Sequence, residues 1–458
     1  MLMICLCSGP NAGAANAAPS IDGVWQSDGY GFLLEIQGES ARLFSIGDDF
    51  CIAETDALVP MGDLLPGVEF QTSSGGQWLT IRSSVEPHRI SAHRRLSLPP
   101  RCATQTPVDA VAVFDAFVGF FDHSYPFFSL HNVDWPTHVA EARQRVHVTM
   151  SDHALFDELS GLIAPIRDGH VALIAEIDGT GHVSSPGRAR ILQNLRQNAL
   201  AAGEDPVAAT RAFREEFWYK SVQADILDDK GHIVGNDLIQ YGMLTEEIGY
   251  LALAALDGFG PDEATPEENL RSTRTLLDEV MIYFAARGAH SIVLDLSLNF
   301  GGSDYIAREV ASRFLHQTTF AYTKFAGDAD TPILTRVSIA PSTGVRFEGD
   351  VALLTSNVTV SAAEVLTLAL RTQHHVSHFG EATRGAFSDA LSRSLPNGWQ
   401  LNMSNEIYLD PEERHWEAVG IRPDVERPVF QVTNPIESHK QAIQLLLQDA
   451  SWLKGSWH

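Results

Sequence analysis

One serine lies where the sequence changes from a strand pattern to a helix pattern. Residues 351–355 form an apolar run that predicts a buried strand, and Ser361 follows after a short loop and opens a predicted helix. The backbone N–H groups and the positive dipole end of a helix N-terminus would stabilise the oxyanion formed when a serine attacks a carbonyl. Ser361 also fits a helix cap, because Glu364 three positions later would complete a capping box. From the local sequence alone, the cap is the favoured interpretation.

A glycine pair follows a second predicted buried strand. Residues 291–296 lead through Asn299 into Gly301 and Gly302, which precede another predicted helix. Glycine lets a backbone N–H approach a ligand without a side chain in the way, so this turn could stabilise an oxyanion. Gly-Gly turns are also common as plain connections, so the signal is weak when taken alone.

Two segments place a histidine near a carboxylate. If residues 414–424 form a strand, alternation puts His415 and Glu417 on one face, where the carboxylate could orient an imidazole base. The alternative is a surface strand with a charged face. Far upstream, His170 follows Asp168 in a segment more typical of a turn. His170 matters for chemistry only if the fold brings it to a nucleophile.

Together and in this order, these fragments resemble the serine peptidases related to tricorn and to the C-terminal processing proteases. The resemblance covers about residues 110–430, and the common order of loose motifs makes it specific. Phe127-Phe128 and Val133-Asp134-Trp135 resemble the helical lead-in of tricorn-like members. The other matching segments are Asp168–His170 (D-x-H), 295–302 (the oxyanion turn), 359–364 (T-x-S-A-x-E), 380–385 (G-x-x-T-x-G), 395–398 (L-P-x-G) and 417–424 (E-x-x-G-[IV]-x-P-D).

The resemblance also implies which residues act. The processing proteases use a Ser-Lys pair, but Ala386 stands where that lysine would be, so the chain is similar to the Ser-His-Glu subgroup. No glycine-rich PDZ-like segment lies between His170 and residue 248. By this resemblance, Ser361 is the nucleophile, His170 the general base and Glu417 the residue that orients it. His415 is the less favoured base.

The remaining assignments concern the oxyanion turn and cofactors. The resemblance places the oxyanion hole at the backbone N–H groups of Gly302 and Ala362, with Asn299 and Gly301 in support. Ser297 departs from the pattern, because the family often has arginine at that position. The implied reaction is peptide-bond hydrolysis through an acyl-enzyme, with no metal and no organic cofactor.

The elements that must position these residues alternate between strand and helix in the second half of the chain. Such alternation predicts βαβ units and a mainly parallel sheet. We therefore predict an α/β catalytic core with crotonase/ClpP-like βαβ units, a small all-β N-terminal domain and a helical subdomain. The predicted parts are a signal-peptide remnant (1–19), a β domain (20–105), a helical subdomain (106–245), the peptidase core (246–432) and a C-terminal helix (433–458).

Composition limits the classes of partner. The chain has 458 residues, of which 44% are hydrophobic, so disorder is excluded as its main state. With 32 Lys and Arg against 58 Asp and Glu, the net charge of −26 disfavours nucleic-acid binding and docking on anionic lipid. No apolar run is long enough for a spanning helix. The expected partner is a peptide or unfolded protein, and the oligomeric state is left open.

The amino terminus and the cysteines indicate an oxidising compartment. A short apolar run followed by Ala15-Asn16-Ala17 resembles the end of a secretion signal whose start lies upstream of Met1, and the alternative is an uncleaved terminus. Cleavage there would leave Cys51 and Cys102, which could form a disulfide or stay as buried thiols. We predict a periplasmic or secreted protein.

The sequence also allows a metal site and other functions. His374 and His378 have the spacing of helical metal ligands, with His375 between them, but a solvated helix end is the favoured interpretation. The alternative to a serine endopeptidase is a non-proteolytic protein that binds hydrophobic ligands or peptides on the same fold. A third possibility is another acyl-transfer enzyme.

Overall fold

Four sheets and the helices between them make up the described part of the chain. The computed structural model describes residues 20–453 except Asp56, Gln105, Asp330 and Thr331. The predicted secretion signal and its two cysteines lie outside the described residues. Within that part, the arrangement is a mixed α/β fold. The helices found there include none with the length and apolar character to cross a membrane.

The first sheet is antiparallel and is built by residues 23–95. Its elements are β1 (Gly23–Ser27), β2 (Phe32–Gln37), β3 (Ser40–Ile46), β4 (Cys51–Ala53), β5 (Val59–Pro60), α1 (Met61–Leu64), β6 (Val68–Thr72), β7 (Trp78–Ser83) and β8 (Arg89–Arg95). The strand order is β4-β3-β2-β1-β8-β7-β6, with β5 paired to β3. Trp25, Leu34 and Leu79 are fully buried in its core. A disulfide joins Cys51 in β4 to Cys102, just beyond the sheet.

Three helices follow, and each starts at a side-chain cap. They are α2 (Ala110–Ser124), α3 (Trp135–Arg143) and α4 (Asp152–Ile163). The Ser151 side chain caps α4 by accepting a hydrogen bond from the backbone of Ala154. Phe117 and Phe121 of α2 are fully buried and belong to an apolar core.

A strand pair interrupts the region that the sequence pattern predicts to be helical. The strands β9 (Ala172–Ile177) and β10 (Thr180–Ser184) are joined by Asp178 and Gly179, both at positive φ. Asp-Gly between runs of alternating apolar residues predicts a β-hairpin, which the helical prediction for residues 106–245 did not include. These strands join two much later ones, β19 (Ala390–Ser394) and β20 (Gln400–Ser404), in the order β10-β9-β20-β19.

A helical stretch then leads into the main sheet. It contains α5 (Arg190–Ala202), α6 (Pro206–Glu215) and a π-helical segment (Glu216–Ile226), and the strands β11 (His232–Val234) and β12 (Ile239–Met243) come next. The strand β12 pairs with the first strand of the α/β region. Residues 106–245 therefore hold strands as well as helices, and the main sheet begins before residue 246.

The main sheet carries the α/β pattern that the sequence predicts. Its elements are β13 (Ile248–Leu253), α7 (Pro266–Arg287), β14 (Ser291–Asp295), α8 (Asp304–Ser312), β17 (Asp350–Thr355), α9 (Ala362–Leu370), β18 (Val376–Gly380) and β22 (Val425–Glu426). The strand order is β11-β12-β13-β14-β17-β18-β22, parallel from β13 onward. Ile292 and Leu294 face one apolar core, while Val293 faces the other. Parallel strands bring their carboxyl ends to one edge, where ligands bind in such sheets.

The last elements cover the main sheet. A small sheet has the order β16-β15-β21, and its strands are β15 (Thr319–Ala326), β16 (Thr335–Ile339) and β21 (Glu406–Leu409). The helix α10 (Pro435–Gln448) and a short 3₁₀ helix (Ala450–Trp452) are the last elements of the described residues. The strand predicted around Glu417 is absent, because the chain turns there and Ala418 has positive φ.

Candidate active site

Ser361 lies at the carboxyl-end edge of the main sheet, directly before α9. Its backbone has φ 60° and ψ −130°, a conformation that a residue with a side chain rarely adopts. Such strain is of the order of 1–3 kcal/mol and persists only where the surroundings impose it. Two hydrogen bonds hold the loop before it, from the Thr359 hydroxyl to the Leu296 carbonyl (2.7 Å) and from the Ser356 hydroxyl to the Ser297 carbonyl (2.6 Å).

The Gly-Gly turn after β14 lies against Ser361. A Cβ atom added to Gly301 would lie 2.6 Å from the Ser361 Cβ, so only glycine fits at this position. The Asn299 side chain braces the turn by donating to the Leu253 carbonyl (2.8 Å) and accepting from the Gly301 N–H (2.8 Å). Within the described residues, the N–H groups of Gly302 and Ala362 have no acceptor, so both are available to a ligand.

Glu364 anchors the backbone of two loops around Ser361, in addition to the capping role predicted for it. Its carboxylate accepts hydrogen bonds from the backbone N–H groups of Ser361 (3.2 Å), Gly385 (2.7 Å) and Ala386 (2.9 Å). Burial raises the pKa of Glu364 to about 7, while the hydrogen bonds from Thr383 and from these backbone groups act to lower it. The sequence signals for this residue were the capping-box spacing and its place in the 359–364 segment.

His170 enters the same region from the turn between α4 and β9. Its backbone N–H donates to the Asp168 carboxylate (2.8 Å), which also accepts from the Tyr125 hydroxyl (3.1 Å). A Cβ added to the neighbouring Gly169 would lie 3.4 Å from Val360, the residue before Ser361. The fold thus brings the His170 segment next to the serine loop. Burial lowers the pKa of His170 against the opposing effect of Asp168, which favours a neutral imidazole.

The His170 ring contacts a residue that the sequence analysis missed. Its Nδ1 lies 3.4 Å from the Ser404 hydroxyl, on β20. Within the described residues, His170 makes no hydrogen bond to Ser361 or to Glu417. No local pattern pointed to Ser404, because only the pairing of β20 with β9 brings it there.

Glu417 is buried on a turn next to Gly385. One carboxylate oxygen accepts from the Phe387 N–H (3.0 Å), and the other is buried with no hydrogen-bond partner in the described part of the chain. Burial and the nearby Asp168 carboxylate raise the pKa of Glu417 well above its ordinary range. His415 is exposed and shares no strand face with Glu417, so the alternation argument was wrong.

The histidines after α9 also differ from their interpretation as a solvated helix end. His378 is fully buried in β18, where its Nε2 lies 2.8 Å from the Thr355 hydroxyl. His375 is buried as well, and His374 is exposed. The prediction was wrong because β18 begins directly after His375 and carries His378 inward, while His375 packs against the Phe314 carbonyl.

Asp295, at the start of the Gly-Gly turn, is fixed by partners from distant elements. Its carboxylate contacts the His439 Nε2 (2.7 Å) of α10 and accepts from the Tyr250 hydroxyl (2.5 Å) and the Ser297 N–H (2.8 Å). Burial acts to raise the pKa of Asp295, but His439, Ser297 and Tyr250 outweigh it and hold the pKa below its ordinary range. Tyr250 and His439 were not recognised in the sequence.

An open cavity adjoins the site behind residues 384–418. Its volume is about 1040 Å³, and Asn357, Arg384 and Ala418 line it together with four further arginines and two glutamates. The arginines are Arg167, Arg188, Arg190 and Arg427, and the glutamates are Glu381 and Glu426. The wall of this cavity is therefore locally cationic, although the chain as a whole has a net charge of −26.

Comparison with known proteins shows what the α/β region is similar to. Residues 247–427 match the sequence model of peptidase family S41, which confirms the resemblance predicted from the motifs. Over 171 residues, 37% of this chain, it is 29% identical to a probable CtpA-like serine protease of Staphylococcus saprophyticus, covering 34% of that protein. Over 166 residues (35% of this chain), it is 26% identical to a carboxyl-terminal-processing protease of Synechocystis, covering 38% of it. The chain thus spans little more than a third of these curated relatives.

Solved structures extend the similarity of fold beyond that region. A Parabacteroides merdae structure aligns with a TM-score of 0.57 at 23% identity, covering 75% of this chain and 96% of the other. Mature CPAF, solved in complex with lactacystin, aligns with a TM-score of 0.53 at 11% identity, covering 74% and 98%. At these identities the comparison establishes a shared fold alone.

Proposed function

Because residues 247–427 match the sequence model of peptidase family S41, we propose that the protein is a serine endopeptidase acting on peptides or unfolded proteins. One observation carries the proposal. Ser361 is held in a strained conformation at the start of α9, with the Gly301 turn packed against it and two free N–H groups beside it. This is the geometry expected of a nucleophile facing an oxyanion hole.

In the proposed mechanism, the Ser361 Oγ attacks the carbonyl carbon of the scissile peptide bond. His170 takes the hydroxyl proton and gives it to the leaving amine, and water then hydrolyses the acyl-enzyme with His170 again as base. The N–H groups of Gly302 and Ala362 stabilise the negative oxygen of each tetrahedral intermediate. Asn299 and Gly301 support this role, because they fix the turn.

Glu417 is proposed to orient the His170 ring during turnover. Its unpaired, buried carboxylate oxygen can accept an imidazole N–H, which would leave the other ring nitrogen for Ser361. Ser404 is the competing partner, because it lies at Nδ1 in this structure. Apo active sites are often loose and tighten only around substrate.

The assignment of these two residues can be tested directly. We expect Glu417→Gln to lower kcat by roughly 100-fold or more, because the imidazolium loses its compensating charge, and Ser404→Ala to lower it by less than about 10-fold. The measurement is steady-state cleavage of a quenched fluorescent peptide. The opposite order of effects would assign the orienting role to Ser404.

We also propose a periplasmic or secreted location, on the support of the Cys51–Cys102 disulfide and of the predicted signal. We further propose that the core is crotonase/ClpP-like, which the parallel order of the main sheet from β13 to β22 supports. The proposed small all-β N-terminal domain is supported by the single sheet that β1–β8 form together.

The alternative is a protein that binds peptides or hydrophobic ligands without cleaving them. The observation that favours it is the lack of a hydrogen bond from His170 to Ser361 or Glu417 among the described residues. A binding protein would retain the pocket but show no turnover, so a single experiment separates the two functions.

That experiment incubates unfolded casein with wild type, Ser361→Ala and a matched control, Ser392→Ala, which removes a β19 hydroxyl at a distance in sequence from the proposed site. We expect degradation by wild type and by the control, and loss of at least roughly 1000-fold in Ser361→Ala. A fluorophosphonate probe that labels wild type and not Ser361→Ala would locate the nucleophile. Cleavage by Ser361→Ala at the wild-type rate would refute the mechanism. Peptide binding without cleavage or labelling would support the alternative.

A further inference from the structure

Three histidines from two distant segments meet at the end of the molecule's core opposite to the serine. His316 follows α8, and His374 and His375 follow α9. One ring nitrogen of each lies within 4.8 Å of a ring nitrogen of the other two. The His316 and His375 rings stack with their centroids 4.0 Å apart, and the His374 ring centroid lies 5.3 Å from that of His375.

The buried member of this cluster has one nitrogen that lacks a partner. His375 is 4% exposed, and its Nε2 lies 2.9 Å from the Phe314 carbonyl oxygen. A carbonyl only accepts, so Nε2 carries the hydrogen and Nδ1 carries the lone pair. Within the described residues, that Nδ1 is buried without a hydrogen-bond partner. Buried polar atoms are rarely left unpaired, so this lone pair needs an explanation.

We propose that His316, His374 and His375 bind a divalent transition-metal ion, and that Zn²⁺ is the expected occupant. Imidazole nitrogens suit Zn²⁺, Cu²⁺ and Ni²⁺, whereas Mg²⁺ and Ca²⁺ require oxygen ligands. The Phe314 carbonyl bonded to the far nitrogen of His375 is the outer-sphere partner typical of a metal-bound histidine, because it sets the tautomer and the ring orientation.

The positions of the three side chains suit capture of an ion. Around tetrahedral Zn²⁺ at about 2.0–2.1 Å, ligand nitrogens lie roughly 3.3 Å apart, somewhat closer than the upper limit of 4.8 Å in the cluster. His316 and His374 are exposed and can rotate to close this gap, while His375 is held by the core. With three protein ligands, the fourth position is left for water.

Such an ion would link the far ends of the two helices that begin at the proposed active site. The helix α8 starts just after Gly302, and α9 starts just after Ser361. The nine residues of α9 span roughly 14 Å, so the ion would lie well away from the reacting atoms. Its expected effect is to stabilise the folded protein, and this inference does not depend on the proposed peptidase activity.

The test uses the full chain without an affinity tag, stripped of metal with a chelator and then dialysed. Titration with ZnCl₂ in a calorimeter at pH 7.5 should show one site per chain, and saturating Zn²⁺ should raise Tm, because a ligand that binds only the folded state stabilises it. His316→Ala and His374→Ala should each weaken the affinity by at least tenfold. Both residues are exposed, so both variants are expected to fold.

The control is His153→Ala, which removes an exposed imidazole on α4, away from the cluster, and should leave Zn²⁺ affinity unchanged. X-ray absorption at the zinc edge should report nitrogen ligands from three imidazoles. Absence of Zn²⁺ binding in the wild type would overturn the proposal. So would equal affinity and equal gain in Tm in wild type, His316→Ala and His374→Ala, since the ion would then bind elsewhere.

Discussion

At the scale of single residues, the proposed site is shaped by close backbone contacts more than by free side chains. Gly301 leaves no room for a Cβ beside Ser361, and Glu364 gathers three backbone N–H groups from the loops around the serine. These three hydrogen bonds to one carboxylate fix the backbone around the proposed oxyanion hole. The protonation state of Glu364 therefore affects the geometry of the whole site.

Glu364→Gln should change how stability depends on pH. The folded-state pKa of about 7 lies above the ordinary value of 4.5, so folding favours the protonated carboxyl. This contribution is fully present below about pH 4.5 and is lost as pH rises through about 7. A glutamine side chain does not titrate, so the unfolding free energy of wild type relative to the variant should fall by about 3 kcal/mol between pH 4.5 and 8. Urea unfolding of both proteins at several pH values measures this difference in unfolding free energy.

The matched control for that series is Glu204→Gln, which removes an exposed carboxylate near the end of α5. The difference between wild type and this control should stay constant across the same pH range. If Glu364→Gln also gave a constant difference, Glu364 would be ionised with an ordinary pKa in the folded protein.

At the scale of elements, the turn after β14 depends on a helix from the end of the chain. His439 of α10 contacts Asp295, and its second ring nitrogen lies 3.4 Å from the Ser221 hydroxyl of the π-helical segment. All three residues are buried. One imidazole thus ties two helical segments to the strand that leads into the proposed oxyanion turn.

His439→Leu should therefore lower stability and impair turnover together. Removing the His439 imidazole leaves the buried Asp295 carboxylate with one hydrogen-bond partner fewer, which typically destabilises by about 1–3 kcal/mol. We expect a loss of about that size in urea unfolding and a lower kcat with little change in KM, because the turn is displaced. Adding Asp295→Asn should recover part of the stability, since no buried charge then remains.

Gln441→Ala, on the exposed side of α10, serves as the control and should change neither quantity. If the effects of His439→Leu and Asp295→Asn simply added in a double-mutant cycle, the two side chains would not interact in the folded protein, and the proposed link would be absent.

At the scale of the whole molecule, the first sheet is joined to the main sheet region through buried polar contacts. The Tyr30 hydroxyl donates to Glu406 (2.6 Å), which also lies 3.2 Å from the Lys324 ammonium. Near the same interface, Arg308 pairs with Glu86 (2.6 Å). Interfaces held by such specific polar contacts fix orientation, so the first sheet has a defined position against the core.

The disulfide should contribute a large share of the stability of this amino-terminal part. Cys51 and Cys102 are 51 residues apart, and closing a loop of that length restricts the unfolded chain by about 4 kcal/mol. We expect the double variant Cys51→Ser/Cys102→Ser to unfold at lower urea concentration by about that free energy. Dithiothreitol should reproduce the loss in wild type and have no effect on the double variant. An unchanged wild-type transition in the reductant would show that the bridge does not stabilise the fold.

Local patterns were sufficient for the features that depend on neighbours in the chain. The buried strands β14 and β17 and the Gly-Gly turn were predicted correctly, because apolar runs and backbone freedom act over a few residues. The order of the motifs was enough to indicate the family whose sequence model residues 247–427 match.

Local patterns failed where the outcome depended on partners far away in sequence. The β9–β10 hairpin was read as helical although it carries an Asp-Gly turn, and its pairing with β20 could not be inferred locally. The strand around Glu417 does not form, because that segment instead bonds its backbone to Gly385. Two of the three histidines after α9, His375 and His378, are buried rather than solvated, because the chain enters β18 there and β18 has a neighbouring strand on each side.

The sequence by itself determined the chemistry that is available: a serine before a helix, a glycine turn, a histidine after Asp-Gly, a downstream glutamate and the pair Cys51 and Cys102. Only the tertiary structure decided which of these residues meet. It placed the His170 segment beside the serine loop, gave Asp295 its partner on α10, and brought His316 to His374 and His375. The physical reason is that helix and strand patterns depend on short-range sterics and hydrogen bonding, whereas these contacts depend on how sheets and helices pack across the whole chain.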